Sequence, residues 1–242
     1  MQYFTKRKFV ITIYSLAYNE EALLQFKIDF YRKRFSDCKF VVFDNYSTDN
    51  TNKIAKENHC EVIMYNSNGE INDLMLRHLK NNCWKSSKTN WVLVCDVDEM
   101  LDISEQDLID EEKLGTTIIR AEGWNMVNME DNFDLDNIKH GMRGESYDKY
   151  YLFNKKYIQE INYNVGAHSA HPMGFVNLSN KIYKVYHYAY VNPDLMVKKY
   201  QWTAKRLSEV NKKYGMGNYC LVPEKEIRQN FKNARKIAQK IM

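Results

Sequence analysis

The chain contains few of the residues on which several specialised protein classes depend. Its 242 residues include 9 glycines and 3 prolines, too few for a collagen-like or a Gly/Pro-rich disordered protein. The 5 cysteines are widely spaced and include no Cys-x-x-Cys pair, which disfavours both a zinc site and a disulfide framework. We therefore expect reduced thiols in a cytoplasmic protein.

Long apolar runs are also missing. No stretch approaches the roughly 20 apolar residues of a transmembrane helix. Residues 6–8 are basic and residues 9–17 are apolar, which resembles the beginning of a signal peptide, but no small-residue cleavage site follows. A buried first strand at 9–15 fits this pattern better.

Neither sign of charge dominates the chain. The net charge is +4, and basic and acidic residues are interspersed, whereas a nucleic-acid binder would carry a denser basic patch. Residues 13–21 contain no glycine, which disfavours a dehydrogenase with a GxGxxG loop and a nucleotidyltransferase with a Gly-rich phosphate loop. The sequence thus indicates a globular protein without a nucleic-acid partner.

The first hundred residues alternate between predicted strands and helices. Short apolar runs predict strands at 9–15, 39–43, 60–64 and 91–95, and helical spacing predicts helices at 20–35, from about 48–50 onward, and at 72–84. Short, fully apolar strands separated by helices indicate a mostly parallel central sheet covered by helices on both faces. We therefore predict an α/β fold.

The second half has a different character. It contains a polar, charged loop predicted at 128–147, strands predicted at 116–120, 124–127, 149–153, 157–161 and 181–188, and C-terminal helices predicted at 193–214 and 223–242. No linker separates the two halves. We predict a single domain with a first half at about 1–101, a second half at about 102–192, and the C-terminal helices at 193–242.

Polar clusters follow three of the first four predicted strands. They are Tyr18, Asn19 and Glu20 after the first strand, Asp44 and Asn45 after the second, and Asp96, Asp98 and Glu99 after the fourth. Ligands of parallel α/β sheets bind beyond the carboxyl ends of the strands, where these clusters would converge. We therefore predict a binding site at this edge of the sheet.

Asp96 and Asp98 have the spacing of a cation site. Two carboxylates at positions i and i+2 after a buried strand can reach one hard cation, and oxygen ligands suit Mg²⁺ or Mn²⁺. An EF-hand calcium loop is disfavoured because the sixth position from Asp96 is Leu101 rather than glycine. A solvated turn is the alternative for such a pair.

Three motifs resemble glycosyltransferase family 2 and its relatives. They are SLAYNEE at 15–21, VFDNYSTDNT at 42–51 and WVLVCDVDE at 91–99. The Asp-Val-Asp-Glu ending and the later His187-Tyr188 are most similar to the short bacterial and viral branch of that group. The sequence departs from the family pattern at Leu16-Ala17, where Pro-Thr is common, and at Asn45-Tyr46, where Asp-Gly is usual.

The resemblance implies a GT-A fold and an inverting glycosyltransferase with a nucleotide-diphosphate sugar donor, for which a UDP-sugar is favoured. Residues 1–101 would then be the donor half and residues 102–192 the acceptor half. The resemblance further implies that Tyr18 and Asp44 line the nucleoside pocket, with Asn19 and Glu20 beside them, and that Asp96 and Asp98 bind ribose and metal. Arg77 faces either the diphosphate or solvent. The implied acceptor is a glycan or a lipid-linked glycan of surface polysaccharide synthesis.

The resemblance also implies a histidine as a further ligand of Mn²⁺ or Mg²⁺. His187 follows a predicted strand and is the first candidate, with His168 and His171 as rivals. Inverting transfer also needs a general base, and Glu145 in the glycine-containing loop 141–148 is the first candidate. This loop could close over the donor as a lid. Glu130, Asp131 and Glu122 are rivals for the base.

Several roles stay open. Trp124, Tyr147 and Trp202 stack on a sugar or pack in the core. The basic amphipathic last helix either docks on the domain or lies on the inner face of an anionic membrane. The alternatives for the whole chain are a non-catalytic carbohydrate- or nucleotide-binding relative and a metal-dependent nucleotidyltransferase.

Overall fold

The first hundred residues alternate between strands and helices, as predicted. The computed structural model of the chain describes residues 10–242, so the basic triplet 6–8 and Phe9 lie outside the described residues. The strands are β1 (Val10–Ala17), β2 (Asp37–Asp44), β3 (Glu61–Met64) and β4 (Trp91–Val94), and the helices are α1 (Glu21–Arg32), α2 (Thr51–Glu57) and α3 (Asp73–Asn82).

These four strands form a parallel sheet in the order β4-β1-β2-β3. Side chains alternate between the two faces of a strand. Ile11 and Ile13 of β1 therefore pack in one core cluster, which includes Leu24 of α1. Tyr14 of the same strand packs in the opposite cluster, together with Trp84. The predicted sheet with apolar cores on both faces is confirmed.

The second half adds strands to the central sheet on the other side of β4, and its fifth and sixth strands form a separate two-stranded sheet. The strands of this half are β5 (Glu99–Leu101), β6 (Ile118–Val127), β7 (His140–Arg143), β8 (Leu152–Asn154), β9 (Ile158–Glu160), β10 (Met173–Gly174) and β11 (Leu178–Tyr190). β8 is antiparallel to β4 and β6, whereas β11 runs parallel to β6. The central sheet is therefore parallel in its first half and mixed in its second.

Two predictions for this half are wrong. The strands predicted at 116–120 and 124–127 are one strand, because residues 120–123 of β6 remain paired with β11. The loop predicted at 128–147 contains β7, which pairs with β6, and short 3₁₀ turns at Leu135–Asn137 and Glu145–Tyr147. The polar composition of this segment concealed a strand at the solvated side of the sheet.

The C-terminal region contains three helices and a short strand. They are α5 (Pro193–Arg206), α6 (Glu209–Tyr214), α7 (Glu224–Ile237) and β12 (Gln239–Lys240). The helix that precedes them in the chain is α4 (Glu105–Lys113). The single helix predicted at 193–214 is wrong: Leu207 leaves helical geometry and Ser208 caps α6. The helix predicted at 223–242 ends early, because Ala238 is extended and β12 pairs with β7.

α7 docks on the domain. Its buried residues Ile227 and Phe231 pack against Met196 and Val197 of α5. Its basic residues Lys225, Lys232 and Lys236 remain exposed. Across residues 10–242, every helix is too short or too polar to cross a membrane.

Candidate functional site

The loops after β1 and β2 are locked together by side-chain hydrogen bonds. Asn19, whose φ of 55° lies in the left-handed region, accepts a hydrogen bond from the backbone N–H of Thr48 at 2.7 Å. The backbone N–H of Glu20 donates to Thr51 Oγ1 at 2.7 Å. Asp44 is buried and accepts a hydrogen bond from Ser47 Oγ at 2.5 Å. These polar residues therefore fix the shape of this edge of the sheet.

A cavity of about 310 Å³ opens beyond the carboxyl ends of β1 and β4. Its lining includes Tyr18, Glu20, Lys80, Asp96, Asp98 and Lys199. The polar clusters that follow β1 and β4 thus meet at this cavity, as predicted. Of the cluster that follows β2, Asn45 lines the cavity. Asp44 does not line it, and its carboxylate accepts a hydrogen bond from Ser47 Oγ.

Asp96 forms an ion pair across the cavity floor. Its Oδ2 accepts from Lys80 Nζ of α3 at 2.7 Å, and its side chain is 37% exposed. Burial alone would raise the pKa of Asp96, but Lys80 and Lys149 outweigh it and hold the pKa below its usual value. The carboxylate is therefore ionised at neutral pH.

Asp98 is the more buried member of the pair and has two nitrogen neighbours. Its Oδ2 lies 2.7 Å from Lys199 Nζ of α5 and 3.4 Å from His187 Nε2 of β11. Burial would raise the pKa of Asp98, but Lys199 and His187 hold it well below its usual value. Asp98 is therefore a fixed negative charge with cationic or metal-binding groups around it.

Lys199 also binds Glu20, at 2.9 Å between Nζ and Oε1. Burial raises the pKa of Glu20 to about 7, against the opposing effect of Lys199. Burial would lower the pKa of Lys199, yet Asp98 and Glu20 raise it well above its usual value. One ammonium therefore bridges the clusters that follow β1 and β4.

The turn that carries Asp96 and Asp98 is held from beneath by buried groups. Lys27 of α1 is fully buried, and its Nζ donates to the backbone oxygens of Asp96 and Glu99 at 2.6 and 3.1 Å. Glu99 accepts from the backbone N–H of Asp96 at 3.1 Å and from Lys149 Nζ at 2.6 Å. These contacts preorganise the turn, because each buried charge already has a partner.

His187 is oriented by two further contacts. Its Nδ1 lies 2.7 Å from Asn125 Oδ1, and its ring stacks on Tyr147 at a centroid distance of 3.9 Å. With a metal ion bound, Nδ1–H would donate to Asn125 Oδ1 and the Nε2 lone pair would be free for the metal. This is the arrangement in which a histidine serves as a metal ligand.

The opposite wall of the cavity is aromatic and cationic. The guanidinium of Arg206 lies 3.2 Å from the centroid of the Tyr18 ring, and Trp202 packs edge-on against Tyr18 at 6.3 Å. Arg206 Nε also donates to the backbone oxygen of Gly69 at 2.8 Å. Planar groups of this kind suit a nucleobase or a sugar face.

The remaining predicted residues divide into two groups. Arg77 and His168 line the cavity, as do Tyr147 and Trp202, which were predicted to stack on a sugar or pack in the core. Outside the residues that line it are Asn19, Glu122, Trp124, Glu130, Asp131, Glu145 and His171. Asp131 pairs with Arg235 at 2.9 Å, and Glu145 is exposed on the turn that carries Tyr147. The structure therefore does not bring the general-base candidates to the cavity.

The lysines of the site were missed from the sequence, although two of them left a signal. Lys80 follows Arg77 by three positions on α3, so both occupy one helix face. Lys27 interrupts the buried stripe of α1 four positions after Leu23 and four before Tyr31. Lys149 gave no signal, because it precedes a strand whose pairing the sequence did not reveal.

The residues present fit a divalent cation that is completed by a ligand. Among residues 10–242, no three His, Cys, Asp or Glu side chains already meet as a metal site. Asp98 Oδ2 and His187 Nε2 are 3.4 Å apart, near the roughly 3 Å between adjacent ligands about 2.1 Å from an octahedral ion. Mg²⁺ commonly takes one or two carboxylates together with substrate phosphates. Asp98, His187 and the partly exposed Asp96 suit that kind of site.

No family model matches the chain. No curated protein sequence matches it either. Similar solved structures include S. aureus TarS 1–349, alone (15% identity, 86% of this chain and 69% of that chain covered, TM-score 0.45) and in complex with UDP (14%, 86% and 69%, 0.46). Another is glucosyl-3-phosphoglycerate synthase from Mycobacterium tuberculosis in complex with Mn²⁺, UDP and glucosyl-3-phosphoglycerate (18%, 48% and 44%, 0.33). These likenesses concern the overall fold only.

Proposed function

We propose that this chain is a metal-dependent, inverting glycosyltransferase of the GT-A type that uses a nucleotide-diphosphate sugar. The observation that carries the proposal is the Asp96–Asp98 turn at the end of β4. It faces one cavity together with three lysines and two histidines. Paired carboxylates suit a hard cation, and ammonium groups suit phosphate oxygens.

The donor would lie across the cavity from its aromatic wall to the Asp96–Asp98 turn. Tyr18 and Arg206 would contact the nucleoside, and Asn45 closes the same wall. Asp98, His187 and Asp96 would hold Mn²⁺ or Mg²⁺, which when bound supplies charge stabilisation to the departing diphosphate. A UDP-sugar is the favoured donor because of the family resemblance.

The acceptor would enter from the half of the chain formed by residues 102–192. Tyr147 lies at the boundary between that half and the donor cavity, where its ring stacks on His187. Glu145, two residues earlier, is the proposed general base and would approach the cavity when the turn Glu145–Tyr147 closes over the donor. A glycan or lipid-linked acceptor is proposed. For a lipid-linked one, the exposed lysines of α7 would face an anionic membrane.

One observation favours a second candidate, a nucleotide- or carbohydrate-binding protein without turnover. Asp96 and Asp98 are each already paired with a lysine at 2.7 Å. Such ion pairs could complete the site without any metal. This candidate would bind a nucleotide equally well with and without a divalent cation.

The test is a panel of UDP, GDP, CMP and dTDP, with and without Mn²⁺, monitored by thermal shift and calorimetry. A ligand at about 100 times its Kd stabilises the protein by about 2.7 kcal/mol, which is readily measured. We expect stabilisation by one nucleotide that requires Mn²⁺ and disappears in Asp98→Ala. Metal-independent stabilisation would favour the binding protein, and no response to any nucleotide would refute the donor site.

A further inference from the structure

We infer that Lys80 and Lys199 exchange partners during donor binding: in the free protein each neutralises one aspartate, and in the complex each binds the diphosphate. This inference rests on the proposed function. It assigns to two lysines a role that depends on the ligation state of the site. It also explains how one cavity can accommodate both a cation and a polyanion.

The two lysines reach the Asp96–Asp98 turn from different helices. Lys80 reaches Asp96 from α3, and Lys199 reaches Asp98 from α5, each at 2.7 Å. Both lysines also line the cavity itself. Each ammonium therefore lies where a ligand phosphate next to the carboxylates would arrive. A lysine side chain has rotatable bonds and three donors, so it can change partner without backbone movement.

The charges explain why an exchange is needed. Every carboxylate at the turn already has an ammonium within 2.7 Å: Asp96 has Lys80, Asp98 has Lys199, and Glu99 has Lys149. A divalent cation alone would add two positive charges to a neutralised site. A cation that arrives together with a diphosphate restores the balance, because the displaced ammonium groups then pair with phosphate oxygens.

The third pair provides an internal contrast. The Lys149 and Glu99 side chains are 5% and 2% exposed, and Glu99 also accepts from the backbone N–H of Asp96. This pair is fixed in the structure of the turn. In each of the other two pairs one member is exposed: Lys199 by 48%, and Asp96, the partner of the 9% exposed Lys80, by 37%. Lys80 and Lys199, but not Lys149, are therefore the exchanging groups.

The exchange predicts that replacing one of these lysines has opposite effects on metal binding and on diphosphate binding. Removing a competing ammonium should strengthen the binding of Mn²⁺ alone, whereas the same change should weaken the binding of a diphosphate in the presence of Mn²⁺. A purely structural lysine would affect both in the same direction. The opposite signs are therefore specific to the exchange.

The experiment compares wild type with Lys80→Met and Lys199→Met, which retain most of the aliphatic stem. Free Mn²⁺ is titrated by electron paramagnetic resonance, and calorimetry measures UDP and inorganic pyrophosphate binding at saturating Mn²⁺. We expect Mn²⁺ alone to bind about tenfold more tightly to each variant. UDP and pyrophosphate should bind about 10- to 100-fold more weakly, as loss of a charge-assisted hydrogen bond implies.

Two controls keep the result interpretable. Lys85→Met removes a surface lysine whose partner is Glu160, at 2.6 Å, and should change neither affinity. Lys80→Met provides a second test if Lys199→Met fails to fold, because Asp96 is more exposed than Asp98 and tolerates the loss of its partner better. Lys199→Arg should retain part of the UDP affinity.

The outcomes separate this inference from the proposed function. If wild type binds Mn²⁺–UDP and both lysine variants bind it equally well, the exchange is refuted and the transferase proposal stands. Parallel loss of Mn²⁺ and UDP affinity would also refute the exchange and make the lysines structural. If wild type binds neither UDP nor pyrophosphate with Mn²⁺, both proposals fail together.

Discussion

Tyr147 holds His187 in place: the two rings stack with centroids 3.9 Å apart and planes inclined by 26°. The stack brings a residue of the turn Glu145–Tyr147 into contact with β11. His187 thereby keeps Nε2 directed at Asp98 while Nδ1 contacts Asn125. The orientation of a candidate metal ligand thus depends on a turn that is distant in sequence.

Replacement of Tyr147 should therefore loosen the site without removing a ligand. An aromatic pair contributes about 0.5–1.5 kcal/mol beyond its buried area, so Tyr147→Ala should weaken Mn²⁺-dependent UDP binding about 2- to 10-fold. Tyr147→Phe retains the stack and should bind like wild type. Equal losses in the two variants would indicate that the hydroxyl, rather than the ring, matters; calorimetry distinguishes them.

The position of that turn depends on a glycine in β6. A Cβ at Gly123 would lie 2.2 Å from Tyr147 Cβ and 2.5 Å from the backbone oxygen of Gly144. Gly123→Ala should therefore displace the turn and destabilise the protein by about 1–3 kcal/mol, measured by chemical denaturation. Ser146→Ala changes an exposed residue of the same turn and should have an effect within about 0.5 kcal/mol. Wild-type stability of Gly123→Ala would contradict the close packing.

The sequence predicted the donor half well because its signals are local. Each parallel strand is a short apolar run followed by a polar cluster, and the Asp96–Asp98 pair follows β4 directly. Beyond residue 101 the predictions failed where pairing is non-local. β7 has a polar sequence and exists because β6 lies beside it, and the exposed turn 145–147 shows its role only through Tyr147.

The lysines of the site illustrate the same limit. Their partners lie 16, 50 and 101 positions away in the chain for Lys80, Lys149 and Lys199. In a single sequence, a lysine whose partner lies this far along the chain cannot be distinguished from a solvated lysine. A pair of carboxylates two positions apart, in contrast, is visible directly.

Helix α4 begins with a local sequence signal, a capping box, which leads to a pH-dependent prediction. Ser104 and Asp107 form a capping box, and Asp107 also binds Lys181 at 2.8 Å. Burial would raise the pKa of Asp107, but Lys181 and Ser104 outweigh it and lower the pKa. The carboxylate therefore stabilises the fold above its unfolded pKa of about 3.9, and this stabilisation is lost as the pH falls through the lower folded value.

Asp107→Asn should accordingly cost about 1 kcal/mol at pH 7, in line with the loss of a helix cap. The difference from wild type should shrink below about pH 4 and disappear once Asp107 is protonated in both states. Urea denaturation at several pH values measures this. Leu114→Ala at the exposed C-cap of α4 should show no such pH dependence, and a constant difference for Asp107→Asn would contradict the capping role.

The proposed general base lies on a turn that would have to move before the base could act. Glu145 is exposed outside the cavity, so it can act only if the turn Glu145–Tyr147 closes with donor and acceptor bound. Glu145→Gln should then lower kcat by about 10²- to 10⁴-fold, the usual contribution of a general base, and leave UDP affinity unchanged. Steady-state turnover and calorimetry on one preparation measure the two quantities.

The rival carboxylates supply matched controls for that experiment. Asp131 pairs with Arg235 at 2.9 Å and is 98% exposed, and Glu130 precedes it in the same loop. Asp131→Asn and Glu130→Gln should therefore retain wild-type turnover. If Glu145→Gln also retains it, Glu145 is not the base, and the acids that already line the cavity become the next candidates. Glu20 would then be the first to examine, because burial raises its pKa to about 7, where a carboxylate can accept a proton at neutral pH.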